Sequence, residues 1–430
     1  MAQSGRVASR LVVVCALGYF VDIYDLILFS IVRVQSLKDL GVTDPVQIQS
    51  VGAQLLSWQM GGMLLGGILW GVIGDRRGRR AILYGSIALY SAANLANAWV
   101  WNVPSYAALR FIAGLGLAGE LGAAVTLVSE AMPAARRGYG TMVVSAVGIL
   151  GAAAGFAVAK AFDWRIAYVV GGLMGITLLV ARLRIAESSL FARIAPNARR
   201  GDLRMFLGTP RAGGWDWLRG NGDRLRRLVL TAVIGVPLWC VVGILVTFSP
   251  EISTDLGIRG AVDAPTAVLL CYVAASVGSL ASGTLSQFAR SRRTAVLAFL
   301  AFTIAAGGSI LLLRGGEAWM FYAAVTAMGF GAGYWAVFVQ MGAEQFGTDL
   351  RATVATAVPN LARGSVVVLA PAYALLTGAL HPAGAAVALL AATVLVANVG
   401  AWGLPETFGR DLDHVEPLAG PSIRPSPAAS

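Results

Sequence analysis

Apolar runs of about twenty residues, the length a helix needs to cross a bilayer core, recur twelve times along this chain. They lie at 11–33, 50–74, 81–101, 104–132, 138–162, 165–185, 227–250, 265–289, 294–313, 317–346, 352–377 and 383–404. Asp, Glu, Lys and Arg make up only 13% of the 430 residues, against about a quarter in soluble domains. A soluble chain of this size would lack the charge to cover its surface. The reading is an all-α membrane protein with twelve transmembrane helices. Six runs, a polar stretch and six more runs give an N-terminal half at 1–185, a linker at 186–226, a C-terminal half at 227–405 and a tail at 406–430. The linker carries Pro196, Pro210, Gly213 and Gly214 among many arginines. Its Trp215, Trp217 and Leu218 fit either a lipid interface or a solvated connection. The tail ends in Pro-Ser-Pro-Ala-Ala-Ser and reads as disordered. The first run begins at Leu11, too long for a cleaved leader, and is expected to remain as the first span.

The net charge of +11 raises the question of nucleic acid. Its distribution answers it. With the N-terminus in the cytoplasm, the inside loops and tails hold 25 of the 33 Lys and Arg. The outside edges hold Arg33, Lys38, Lys160, Arg165, Arg259 and Arg314, and Arg110 and Arg363 lie within runs. This is the asymmetry of cytoplasmic loops in membrane proteins. It predicts both termini in the cytoplasm, an inner-membrane location and no nucleic-acid partner. Cys15, Cys240 and Cys271 sit singly in apolar runs and read as small apolar filler, without a disulfide framework or metal site.

The halves repeat. Gly71-Val-Ile-Gly-Asp75-Arg76-Arg-Gly78-Arg79-Arg80 follows the second run, and Gly283-Thr-Leu-Ser-Gln287-Phe-Ala-Arg290-Ser-Arg292-Arg293 follows the eighth, 212 residues later. Glu130 and Arg137 recur as Glu344 and Arg351 at an offset of 214. The first of these loops resembles the signature loop of the major facilitator superfamily. The resemblance covers about residues 10–405 and implies the major facilitator fold, with transport by alternating access. Asp22-Ile-Tyr-Asp25 is similar to an element of metabolite:proton symporters, and also to the Asp-x-x-Asp of aromatic-acid:proton symporters. Arg110, Gly114, Gly116, Ala118, Gly119 and Glu120, then Glu130, Pro133, Arg137 and Gly138, resemble the fourth-helix pattern of the metabolite group. Ala118 departs from it. The fifth run has Gly148, Gly151 and Gly155 but lacks the Gly-Pro element of proton-driven drug exporters.

Charges deep in a span cost about 2.5–3.5 kcal/mol each and call for a reason. Asp22, Asp25, Arg110, Glu120 and Arg363 are the deep ones. Asp22 and Asp25 are three residues apart on neighbouring positions of one helix. Two such carboxylates cannot both ionise cheaply in low dielectric. Asp22, Asp25 and Glu120 are therefore the proton-coupling candidates, with a structural pairing as the other reading. Arg110 lies about 9 Å below the outer end of its run and Asp25 about 21 Å above the inner end of its own. These depths coincide, which makes an Asp25–Arg110 pair reasonable. Arg363 sits mid-run beside Asn360, in a half without a deep acid. It must meet a carboxylate from the other half, a ligand, or backbone carbonyls.

Gln54 and Trp58, Trp239, and Tyr334, Trp335 and Gln340 complete the candidate substrate site with Arg110, Arg363 and Asn360. Asp75, Arg76, Arg79 and Arg80 with Glu130 and Arg137 are expected to latch the inner ends of the first half, and Glu344 with Arg351 those of the second. The expectation is proton-coupled symport of a small organic anion or zwitterionic metabolite by a monomer. The proton is the coupling ion, with no cofactor. A proton-driven exporter of a metabolite or drug, or a transport-dead sensor, are the alternatives. An enzyme is not expected: no Ser-His-Asp set, metal cluster or phosphate loop is visible, and His381 and His414 lie at a run edge and in the tail.

Overall fold

The computed structural model describes residues 2–77, 79–120, 137–186, 214–346 and 351–410. Among them the chain is helical, with a single isolated β-bridge between Arg259 and Glu317. The first half contributes α1 (Ala2–Asp39), α2 (Pro45–Arg77), α3 (Arg79–Asn97), α4 (Val103–Leu117), α5 (Arg137–Ile149), α6 (Gly151–Ala161) and α7 (Trp164–Ala186). The second contributes α8 (Gly214–Ile234), α9 (Val236–Cys240), a π-helical turn at Val241–Val246, α10 (Ser249–Asp255) and α11 (Ala264–Phe288). It continues with α12 (Arg292–Ser309), α13 (Ala318–Ala332), α14 (Trp335–Glu344), α15 (Arg351–Gly364) and α16 (Val366–Gly403). Eight helices among the described residues are long and apolar enough to cross a membrane. The longest such stretch, Thr356–Gly403, runs 48 residues, but His381 breaks it at φ 58° just before Pro382. The apolar α4 is shorter than a span, as residues 121–136 lie outside the description. The helix α8 begins at Gly214, inside the stretch expected to be linker.

Helix starts follow local chemistry. Asn102 accepts from the Ser105 amide at 2.8 Å to cap α4, Asp263 from Thr266 at 2.9 Å to cap α11, and Ser291 from Thr294 at 3.1 Å to cap α12. Pro104 and Pro265 occupy first-turn positions, where a missing N–H costs nothing.

Within each half, helices meet backbone to backbone. A Cβ added at Gly62 or Gly114 would collide with the carbonyls of Phe111 or Gln59, across the α2–α4 seam. In the second half, Gly278 and Gly329 do the same against Phe330 and Cys271 across α11–α13. Such glycines let membrane helices approach closely. Gly114→Ala is therefore expected to cost about 1–3 kcal/mol by overpacking and to lower the melting temperature of detergent-solubilised protein. Gly61→Ala is the control, since its Cβ would meet only Val367, at 3.8 Å. Equal melting of the two variants would remove this account of the seam.

Between the halves the contacts are made by side chains. Ser276 donates to the Ala146 carbonyl at 2.8 Å, and Asn360 to that of Ala118 at 2.7 Å. At the end remote from the signature loop, Arg33 is fully buried and pairs with Glu251 at 2.8 Å. It also donates to the Thr247 carbonyl at 3.2 Å and lies over the Phe248 ring. Arg33 was expected only as an edge charge; here it clasps the halves together.

Candidate functional site

The second-half helices break where they reach the centre. The α8–α9 junction falls at Gly235, α13–α14 at Gly333–Tyr334, and α15–α16 at Gly364–Ser365. Pro237 follows the first break, and Pro359 lies one turn before the third. Tyr334 donates to the Ile234 carbonyl at 2.7 Å, satisfying an acceptor near the first break. These interruptions bring Trp239, Trp335 and Arg363 together.

Arg363 and Asp22 form an ion pair at 3.3 Å across the halves, both fully buried. The guanidinium faces the rings of Trp239 at 5.7 Å and Trp335 at 5.9 Å. Trp335 donates to the Tyr19 hydroxyl at 3.0 Å. Arg363 keeps Nε and Nη1 without a hydrogen-bond partner, and Asp22 keeps Oδ1. An arginine uses its fork best on a carboxylate taken by two nitrogens, so this pair is far from saturated. A cavity of about 30 Å³, lined by Tyr19, Trp239, Tyr272 and Trp335 among apolar residues, opens beside it. That is about one water's share of liquid volume, too small for an organic substrate.

Arg110 builds a different cluster. It donates to the Gln59 side-chain oxygen, and to Tyr168 at 3.3 Å, and lies over the Phe29 ring. Tyr106 and Tyr168 share a hydrogen bond at 2.6 Å, and Gln59 donates to the Leu26 carbonyl at 3.2 Å. The expected Asp25–Arg110 ion pair is absent among the described residues, since Gln59 and Tyr168 occupy the guanidinium. Asp25 instead lies against Gly171 of α7. Neither of its carboxylate oxygens has a hydrogen-bond partner. Residues three apart on a helix diverge by about 60°, from 3.6 residues per turn. That is enough to aim Asp22 at the second half and Asp25 back into the first.

Glu120 is held by Arg182 of α7 through both nitrogens, one bond at 2.8 Å, and both residues are buried. Gly18 of α1 makes room for them: a Cβ there would overlap both side chains. From Gly18, beside the Glu120–Arg182 pair, through Asp22, Asp25 and Ser30 to Arg33, α1 therefore carries a line of buried polar positions about 22 Å long.

Three expected pocket residues lie elsewhere. Gln54 and Trp58 are exposed on α2, because that helix turns its Gln59 and Met63 face toward α4. Gln340 donates to Glu344 at 2.8 Å, near the signature-loop end of the bundle. Trp239, Tyr334, Trp335 and Asn360 are buried as described. Among the latch residues, Glu130 lies outside the described residues, as do the side chains of Asp75, Arg76, Arg79, Arg80, Arg137 and Arg351. Glu344 is described, and its partner is Arg292, at 3.1 Å and 3.3 Å, with Thr407 donating at 2.8 Å. By the 212-residue offset, Arg292 stands where Arg80 stands in the first half. Nearby, burial pushes the Glu406 carboxyl up, but hydrogen bonds from Ser291 and the backbone of Arg292, Phe408 and Arg293 outweigh it and hold it down at about 2. Glu406 therefore stays ionised at any physiological pH.

The missed residues are Gln59, Arg182 and Arg33. Gln59 stood next to Trp58, one position off the chosen face. Arg33 was counted as an outside-edge charge and Arg182 among the 25 cations of the inside loops and tails, although Glu120 called for a deep cation in its own half.

Comparison with known proteins places this architecture. The family model described as "Major Facilitator Superfamily" matches residues 15–371. The chain is 34% identical over 188 residues to the niacin transporter NiaP of Acinetobacter baylyi, covering 43% of this chain and 42% of that protein. It is 31% identical over 187 residues to the 4-hydroxybenzoate transporter PcaK of Pseudomonas aeruginosa, covering 42% and 41%. The chain thus matches about two-fifths of the length of these relatives. The structure of the proton:xylose symporter XylE bound to 6-bromo-6-deoxy-D-glucose superposes with a TM-score of 0.66 at 19% identity, covering 95% of this chain and 98% of that one. With this family match over most of its length and eight helices apolar enough to cross a membrane among the described residues, the chain belongs to the Major Facilitator Superfamily.

Proposed function

We propose that the protein is a proton-coupled symporter of a small aromatic monocarboxylate. The observation that carries this reading is the Asp22–Arg363 pair, which bridges the halves beside an aromatic-walled cavity. Niacin and 4-hydroxybenzoic acid, named for two relatives, are each a flat ring bearing one carboxyl. A carboxylate needs the guanidinium that Asp22 holds, and the ring fits between tryptophans and tyrosines. Protonation of Asp22 releases Arg363 to the substrate. Departure of the substrate lets Arg363 recapture Asp22 and expel the proton. One shared cation thereby couples two ligands reciprocally. The sequence reading gave this role to Asp25 through Arg110. The geometry favours Asp22 through Arg363, since Arg110 is engaged by neutral partners. Glu120, clamped by Arg182, serves structure in this scheme.

The proposal includes the twelve-span arrangement, with halves at 1–185 and 227–405, a linker at 186–226 and a tail at 406–430. Both termini lie in the cytoplasm and the protein works as a monomer in the inner membrane, without a cofactor beyond the proton. The basic-residue asymmetry supports the orientation.

Asp22→Asn separates coupling from binding, because the amide mimics the protonated acid. In proteoliposomes with an imposed pH gradient, the variant is expected to lose concentrative uptake of labelled nicotinate or 4-hydroxybenzoate while keeping counterflow. Normal accumulation by Asp22→Asn, with loss in Asp25→Asn, would return the carrier role to Asp25. Accumulation that ignores the pH gradient in the unmodified protein would end the symport reading.

A further inference from the structure

A second, larger cavity opens at the end remote from the signature loop. It measures about 500 Å³ and runs between α1 and α6 of the first half and the segment from Pro250 to Pro265 of the second. This is within the range of small-molecule sites, about 300–1,000 Å³. Its walls are largely apolar, with Ile31, Val32, Val34, Ala159, Pro250 and Val262 prominent. Two ammonium groups, Lys38 and Lys160, stand at its edge and are exposed.

The acids nearby are already engaged. Asp263, the one carboxylate lining the cleft, accepts from the Thr266 amide at 2.9 Å, its hydroxyl at 3.0 Å and the Tyr322 hydroxyl at 3.1 Å. Asp39 accepts from Trp164 at 2.7 Å, and Asp163 from Gln35 at 3.4 Å. Neither lysine has an ion-pair partner among the described residues. An apolar cleft edged by two lysines, whose one lining carboxylate is already taken up by hydrogen bonds from neutral donors, is complementary to an amphipathic organic anion. This cleft has room for a small molecule, which the 30 Å³ cavity beside Arg363 does not.

We propose that this cleft is an entry site, where the organic anion is collected between Lys38 and Lys160 before the halves open around Arg363. The inference rests on the reading of the substrate as an anion entering from the face opposite the signature loop. Each lysine also sits in the last turn of its helix, where a cation meets the carbonyl end of the dipole. That use alone would give the cleft no preference among small molecules, and this is what the test reads.

The three native cysteines are buried, so a cysteine placed in the cleft reports alone. Ala159→Cys protein in phosphatidylcholine vesicles is treated with two methanethiosulfonates of similar size, one sulfonatoethyl and anionic, one trimethylammonioethyl and cationic. The anionic reagent is expected to react about 10-fold faster, nicotinate to protect, and Lys38→Gln with Lys160→Gln to erase the preference. The same two substitutions are expected to lower kcat/KM for nicotinate about 10-fold in otherwise unmodified protein. Equal reaction rates with both reagents would overturn the entry site, even where the protein transports nicotinate. Anion preference and protection in a protein that transports no aromatic acid would keep the site and end the functional reading instead. Loss of nicotinate protection on moving to phosphatidylglycerol vesicles would assign the cleft to a lipid headgroup and overturn the proposal.

Discussion

Arg363→Gln is expected to abolish concentrative uptake and weaken substrate binding by about 10- to 100-fold, since hydrogen bonds to charged groups contribute about 1.5–3 kcal/mol. The guanidinium is fully buried, donates to Asp22 and faces the packed pair of Trp239 and Trp335. Glutamine keeps a donor but not the fork or the charge. Lysine is expected to restore little, because an ammonium cannot take a carboxylate through two coplanar nitrogens. The substitution also leaves Asp22 buried without its cation, so reduced folding could imitate reduced binding. Adding Asp22→Asn removes that complication: the double variant is expected to melt near the unmodified protein and still fail to bind. Binding is followed by quenching of tryptophan fluorescence on titration with nicotinate. Unchanged affinity in Arg363→Gln would remove the anion-binding role.

Arg182→Met is expected to give the largest loss of stability of any single change at the buried charges. It strands Glu120, which the structure shows fully buried and held through both oxygens. Removing one partner of a buried ion pair costs about 3–5 kcal/mol, whereas replacing both by neutral groups of similar size is often harmless. Arg182→Met should therefore sharply reduce the yield of monodisperse protein, and Glu120→Gln combined with Arg182→Met should recover most of it. The readout is size-exclusion profile and melting temperature in detergent, with uptake measured on the recovered double variant. A double variant that folds but cannot accumulate substrate would move Glu120 from structure into coupling. Recovery of both would leave the coupling with Asp22.

The fold was legible because its constraints are one-dimensional. A span must be about twenty residues long and apolar, and basic residues sort by side. Both properties survive in the order of residues alone. The internal repeat was legible for the same reason, and it foreshadowed Arg292 as the counterpart of Arg80. The site was legible only as a set of charges. Which acid meets which cation depends on how each helix is rotated, and a continuously apolar helix gives little periodicity to fix that angle. A shift of one residue, about 100°, separates Gln59, which holds Arg110, from the exposed Trp58. The same uncertainty hid the divergence of Asp22 and Asp25. Arg182 and Arg33 were missed for another reason: a charge at the edge of an apolar run is read as solvated, yet a neighbouring helix buries both.

The glycine seams described above have a mechanical consequence. Two helices locked backbone to backbone act as one stiff plate, because sliding them would drive carbonyls into Cα atoms. The α2–α4 and α11–α13 seams are of this kind, while the joint between halves rests on Val367, Leu64, Met142 and Asn360 side chains. Side chains swing about single bonds; backbones at contact distance do not. Compliance is thus concentrated in the plane between the halves, and in the proposed transport cycle a thrust applied at Arg363 would be transmitted as rotation of a whole half rather than absorbed as local bending.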